Sequence, residues 1–124
     1  PPYSPKPNYF PMEETLDIAA VPVSTLTDAG LFDYKRSREA AEVLRAINND
    51  FRQQILDVLH RNKQLTVTDI FVKLRIDQSV ASQHLSVLRN ARLVNTTRDG
   101  KYIHYSVNYQ RVEALKHIIH QLVN

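Results

Sequence analysis

Residues 77–107 constrain the fold more than any other part of the chain. Here Asp77-Gln78-Ser79-Val80-Ala81-Ser82-Gln83-His84-Leu85-Ser86-Val87-Leu88-Arg89-Asn90-Ala91 leads directly into a basic, alternating stretch from Val94 to Val107. At 100° per residue from Ser79, the residues Ser79, Ser82, Gln83, Ser86 and Asn90 fall at about 0°, 300°, 40°, 340° and 20°. All five are short or amide-bearing hydrogen-bonding residues, and no carboxylate interrupts the stripe. Val80, Ala81, Leu85, Val87, Leu88 and Ala91 are expected on the opposite side, anchoring the helix and leaving the stripe free. A solvated face usually mixes both charge signs, whereas a face turned to phosphates and base edges disfavours acids. Gln78 opens the helix and Arg89, at about 280°, is placed to clamp a phosphate from its far end. Asp77 suits the N-cap.

The hairpin follows from a change of period. Val94 to Arg98 and Lys101 to Val107 flank Asp99-Gly100, the signal of a type I′ turn, and Ile103, Tyr105 and Val107 alternate as a strand requires. Before the recognition segment, Ala40, Val43, Leu44 and Ile47 recur at helical spacing over 36–47. Asn49 is expected to cap a second helix with Phe51, Ile55, Leu56, Val58 and Leu59 on its apolar face. Thr66-Val67-Thr68-Asp69 reads as a capping box opening a third helix through Leu74. From about Tyr109 the helical period returns, with Val112, Leu115, Ile118, Ile119 and Leu122 in one stripe. The predicted fold is mainly α with a small β-hairpin, in the order α-α-α-α-β-β-α. That order is a winged helix-turn-helix.

Charge separates the chain into two parts. Residues 1–34 hold Lys6 against Glu13, Glu14, Asp17, Asp28 and Asp33, a balance of −4, while residues 35–124 hold the other 15 bases against 8 acids, a balance of +7. All six prolines lie within the first 22 residues. We therefore expect a proline-rich acidic arm over 1–34 and a basic DNA-binding and dimerisation domain over 35–124. The arm either packs against the first helix or the dimer partner, or sets Glu13, Glu14 and Asp17 in competition with phosphates for the basic surface. No stretch has the roughly 18 apolar residues of a transmembrane helix. The start, Pro1-Pro2-Tyr3-Ser4-Pro5-Lys6-Pro7, lacks the apolar core of a secretion signal, so a cytoplasmic location is expected.

Enzyme chemistry finds no foothold. With Gly30 and Gly100 the only glycines, neither a phosphate-binding loop nor a dinucleotide fingerprint is possible, and no Gly-x-Ser-x-Gly occurs. The absence of cysteine excludes thiol chemistry and thiolate metal sites within the chain.

Asn49-Asp50-Phe51-Arg52, Leu65-Thr66-Val67-Thr68-Asp69-Ile70, Ser82-Gln83-His84-Leu85-Ser86-Val87-Leu88-Arg89-Asn90-Ala91-Arg92-Leu93-Val94 and Asp99-Gly100-Lys101 stand in the order and spacing of one family. From about residue 38 to 122 the chain resembles the ArsR/SmtB repressors. The resemblance implies a homodimer paired through its first and last helices, bound to an operator and released by an effector, often a metal ion. Metal sensing is not carried over. The family's thiolate sensors have Cys-Val-Cys where this chain has Thr66-Val67-Thr68, and hydroxyls do not replace thiolates for soft metals. Its second site begins Asp-x-His where this chain reads Tyr109-Gln110-Arg111.

The candidate DNA-binding residues are thus Gln78, Ser79, Ser82, Gln83, Ser86, Arg89 and Asn90 on the helix, with Arg98 and Lys101 at the wing tip. Lys73 and Arg75 lie at the helix-turn-helix corner. Val43, Ile47, Val112, Leu115, Ile119 and Leu122 are the candidate dimer interface. Among the histidines, His84 falls in the apolar arc and is expected to be a hydrogen-bonded structural residue. His60 ends the second helix, where the dipole favours a cation. Glu113, His117 and His120 form the single spacing compatible with zinc or nickel, against the simpler reading of a solvated face; no metal and no cofactor is assigned. The expected partners are double-stranded operator DNA and a second copy of the chain, with no membrane and no identified small-molecule effector. The rival is a winged helix that binds another protein, since this fold does not imply DNA binding.

Overall fold

The structure, a computed structural model, describes residues 30–124; the expected arm over 1–34 lies almost wholly outside the described residues. The elements are α1 (Tyr34–Ile47), α2 (Asp50–Asn62), β1 (Leu65–Thr66), α3 (Val67–Leu74), α4 (Gln78–Asn90), β2 (Val94–Asp99), β3 (Tyr102–Val107) and α5 (Tyr109–Val123). Contacts divide the chain between Glu39 and Ala40, within α1. On the N-terminal side, Asp33 caps the helix start, its Oδ1 accepting from the Arg36 N–H at 3.2 Å.

From Ala40 onward the helix boundaries follow their caps. Asn49 Oδ1 accepts from the Arg52 N–H at 3.0 Å and opens α2. Thr66 and Asp69 form the expected reciprocal box, Thr66 Oγ1 accepting from the Asp69 N–H at 3.2 Å and Asp69 Oδ2 from the Thr66 N–H at 3.0 Å. Hydrogen bonds from the Thr66 backbone and then its hydroxyl hold the Asp69 carboxyl below its ordinary pKa. The box therefore stabilises fully above the ordinary carboxylate range and loses that contribution as pH falls through it. Thr66→Ala should lower unfolding stability by about 1 kcal/mol at neutral pH, read from urea midpoints. An unchanged midpoint would remove the box from the account.

Two helices close through an arginine of positive φ where glycine is usual. After α3, Arg75 takes a left-handed φ of 57°, and the Arg75 and Ile76 N–H groups donate to Val72 and Phe71 carbonyls at 3.3 and 3.1 Å. After α4, Arg92 takes φ 61°, and the Arg92 and Leu93 N–H groups donate to Arg89 and Leu88 carbonyls at 2.9 and 2.9 Å. Each pattern is a Schellman closure, which satisfies carbonyls left open at a helix end. It also reverses the chain within Arg75-Ile76-Asp77, so α3 and α4 pack on each other as a helix-turn-helix.

The sheet differs from the expected hairpin in two ways. β1 adds a third strand, pairing antiparallel with β3 through Leu65↔Tyr105 and Thr66↔His104, so the order is β1-β3-β2. Two residues are too few for alternation to show in the sequence. The turn is also displaced by one residue: Asp99 pairs with Tyr102, leaving Gly100-Lys101 as the loop. Of these two residues only Gly100 has positive φ, 62°. Gly-x with the glycine first fits type II′; the expected type I′ requires positive φ at both positions.

The largest fully buried side chains are Ile55, Leu59, Ile70, Leu85, Leu88 and Leu93, so α2, α3, α4 and the segment entering β2 meet in one core. α5 has no fully buried residue, and Ala46 is the only one on α1. No helix among the described residues is long and apolar enough to cross a membrane.

Candidate nucleic-acid interface

α4 is held from one side only. Ala81, Leu85 and Leu88 are buried, whereas Gln78, Ser79, Ser82, Gln83, Ser86, Arg89 and Asn90 are all exposed. Seven polar or basic side chains are thereby presented by one rigid helix, without a carboxylate among them. Val87 departs from the expected split: it is 37% exposed. Its position at about 80° lies beside Gln83, at the border of the stripe and outside the buried arc. Asp77 is the N-cap by backbone conformation, but its side chain makes no capping hydrogen bond; the Ala81 N–H donates instead to the Asp77 carbonyl at 3.0 Å.

β2 packs beside α4 and carries the wing. Arg98 lies opposite Ile103 in the register, and both Arg98 and Lys101 are exposed. Lys101 Nζ stands 5.5 Å from the centre of the Tyr102 ring, a cation–π contact that leaves the ammonium solvated. Asp99 is the one acid on the wing, with a carboxylate oxygen 4.0 Å from His104 Nε2. Lys73 and Arg75 are exposed at the helix-turn-helix corner.

The candidate dimer residues divide by burial. Ile47, Val112 and Leu115 are half-buried and pack against the chain's own core. Val43 and Ile119 are half-buried as well, and Leu122 is exposed, next to exposed Ile118 and Val123. An open groove lined by Ala41, Leu44, Ile47, Gln53 and Ile119 runs where α1, α2 and α5 meet. The outer, apolar side of α5 is thus uncovered in a single chain.

Glu113, His117 and His120 do not assemble into a ligand set. Glu113 pairs with Lys116 at 3.3 Å, and His120 Nδ1 is 3.1 Å from Asn124 Nδ2. Among the described residues no group of three His, Asp or Glu side chains is arranged to hold a metal ion. His60 Nδ1, in the last turn of α2, lies 2.7 Å from the Tyr109 hydroxyl, a hydrogen bond to the first residue of α5. His84 is the structural histidine expected. It stacks on Phe51 at 5.8 Å between ring centres, and its Nδ1 is 3.2 Å from Arg52 Nη1. Burial, and then the Arg52 charge, push its pKa below the ordinary histidine value. Arg52 has no visible role in the sequence pattern, because its partners lie 6, 7 and 32 residues away.

Comparison with known proteins agrees with this architecture. The family model described as "Bacterial regulatory protein, arsR family" matches residues 50–96. The chain is 36% identical over 88 residues to the transcriptional activator HlyU of Vibrio cholerae, covering 71% of this chain and 81% of that protein. It is 34% identical over 83 residues to the transcriptional repressor PagR of Bacillus anthracis, covering 67% and 83%. The solved structure of Vibrio cholerae HlyU superposes with a TM-score of 0.56 at 35% identity, over 71% of this chain and 95% of that one. NolR from Sinorhizobium fredii gives 0.57 at 36% identity, over 68% and 88%. With a winged helix-turn-helix, an exposed polar face on α4 and these relatives, the chain belongs to the arsR family of bacterial regulatory proteins, which are transcriptional regulators and not enzymes.

Proposed function

We propose that the protein is a cytoplasmic, homodimeric repressor that binds a double-stranded operator, with residues 35–124 as its DNA-binding and dimerisation domain. α4 enters the major groove and the wing, β2 and β3, lies along the flanking backbone. The observation that carries this reading is the acid-free stripe from Gln78 to Asn90, exposed along a helix whose other side is locked into the core. Amides and hydroxyls at such a face pair with base edges, while Arg89, Arg98 and Lys101 neutralise phosphates. Pairing of two chains through α1 and α5 places two such helices in successive major grooves, about 34 Å apart. Relatives of this chain include a protein named an activator as well as one named a repressor; occlusion of a promoter by the bound dimer is the simpler outcome for a domain of this size.

The test is selection of binding sites from a random duplex library, followed by fluorescence anisotropy on the selected duplex and on a scrambled one across a salt gradient. The wild-type protein should enrich a two-fold symmetric sequence and bind it with a steep salt dependence. Gln83→Ala should weaken the selected duplex by roughly 1–3 kcal/mol and leave the scrambled one nearly unchanged. Equal losses on both would remove Gln83 from base reading. Binding without salt dependence or sequence preference would favour the protein-binding module. Reporter transcription from the selected site decides between repression and activation.

A further inference from the structure

The end of α1 and the middle of α4 are joined by one side chain. Arg52, in the first turn of α2, donates from Nε to the Ala46 carbonyl at 2.6 Å and from Nη2 to the Arg45 carbonyl at 3.2 Å. Its remaining amino group, Nη1, lies 3.2 Å from His84 Nδ1. Gln53 Nε2 adds a bond to the Ile47 carbonyl at 2.8 Å, so the open carbonyls ending α1 are closed from α2. Phe51, also on α2, stacks on the opposite partner of this joint, the His84 ring, with 23° between the planes. Thus the three helices meet at one planar guanidinium whose donors are fixed in direction.

We propose that Arg52 is a positioning residue for DNA reading: by bonding at once to the carbonyls that end α1 and to His84, it sets the pose of α4 relative to the helix that carries the dimer face. The inference rests on the reading of α4 as the base-reading helix. Half-site spacing in a dimer depends on how each recognition helix is held against the pairing helices, so a displacement at this joint alters fit to paired grooves more than attraction to phosphate. Arg52 itself touches no base in this account.

The joint also makes the pose sensitive to protonation. A guanidinium has only donors, so His84 Nδ1 must accept, which fixes the neutral ring with its proton on Nε2. A protonated ring would set N–H against N–H. α4 packs on α2, α3 and β2, and Arg52 is the charged group that acts on the ring, lowering its pKa after burial has done so. Asp50 and Asp57 on α2, Asp69 and Lys73 on α3, and Arg98 and Asp99 on β2 make no hydrogen bond or ion pair with it. The Arg45 guanidinium is paired with Glu42 at 2.8 Å. The depressed value means that the joint is still intact at the ordinary histidine pKa and is lost only as pH falls further, through the lowered one.

The test uses the full chain, a duplex selected by the wild-type protein and a scrambled duplex of equal length. Arg52→Lys keeps the charge but not the three directed donors; it should weaken the selected duplex at least about tenfold while changing the scrambled one less than about twofold. The wild-type preference for the selected duplex should hold at pH about 6.5, the ordinary histidine value, and decline as pH falls further, through the lowered value of His84. His84→Asn places an amide oxygen where Nδ1 accepts, so its preference should stay within about threefold of wild type at neutral pH and become flat between about pH 5.5 and 7.5. Nitrogen NMR of the wild-type His84 ring should show an unprotonated, hydrogen-bonded Nδ1. Equal losses on both duplexes for Arg52→Lys, no loss, or a His84→Asn protein that keeps the wild-type pH response would overturn the positioning role. Should Arg52→Lys fail to fold, the His84→Asn pH profile decides alone. A wild-type protein that selects no duplex would overturn DNA reading itself and this role with it, whereas a selective wild type with unaltered Arg52→Lys overturns only the role.

Discussion

Leu85→Ala should destabilise the domain by about 2–5 kcal/mol, the range for emptying a well-packed leucine site. Leu85 is 1% exposed and sits between Gln83 and Ser86, two residues of the polar stripe. The cost has two sources, the lost transfer of the side chain from water and the cavity left in a core that also contains Ile55, Leu59, Ile70 and Leu88. A domain of this size has little stability to lose, so the variant should be partly unfolded near physiological temperature. Ser86→Ala, one residue along on the exposed side, should shift the urea midpoint hardly at all while weakening the selected duplex. A Leu85→Ala protein as stable as wild type would mean that the buried side of α4 is misassigned. With it would go the orientation of the stripe.

The second large effect concerns assembly. If the proposed dimer forms, a protein carrying both Ile118→Glu and Leu122→Glu should sediment as a monomer at concentrations where the wild type sediments as two chains, with the dissociation constant raised at least about a hundredfold. These two residues are 49% and 68% exposed, so their replacement spares the monomer core, whereas Leu115 packs inward and its substitution would confuse unfolding with dissociation. Burial of the uncovered α5 face against a second copy adds apolar area to a small core, and a carboxylate there faces a desolvation cost that no partner offsets. The same double variant should lose affinity for a two-fold symmetric duplex because each half-site is then bound alone. A wild-type protein that is monomeric at micromolar concentration would end the dimer proposal.

The sequence by itself determined every element whose signal is local. The helical stripe of α4 and the capping residues Asn49 and Thr66 with Asp69 rest on contacts within a few positions, and periodicity records such contacts directly; the strand expected from Ile103, Tyr105 and Val107 also forms, but burial along it does not alternate and Ile103 is exposed. The exposed stripe was legible for the same reason, because anchoring residues on one arc leave the other arc free. Tertiary structure alone decided the rest. β1 exists because Leu65 and Thr66 meet Tyr105 and His104 some 40 positions away, and the turn at Gly100-Lys101 reflects the register that this three-stranded sheet accepts. The division of Ile47, Val112 and Leu115 from Ile118 and Leu122 depends on which side of α5 meets the core. His84 and Arg52 are brought to 3.2 Å only when α2 and α4 pack. A hydrogen bond between residues 32 positions apart leaves no periodic trace, since nothing in either helix's own spacing depends on it.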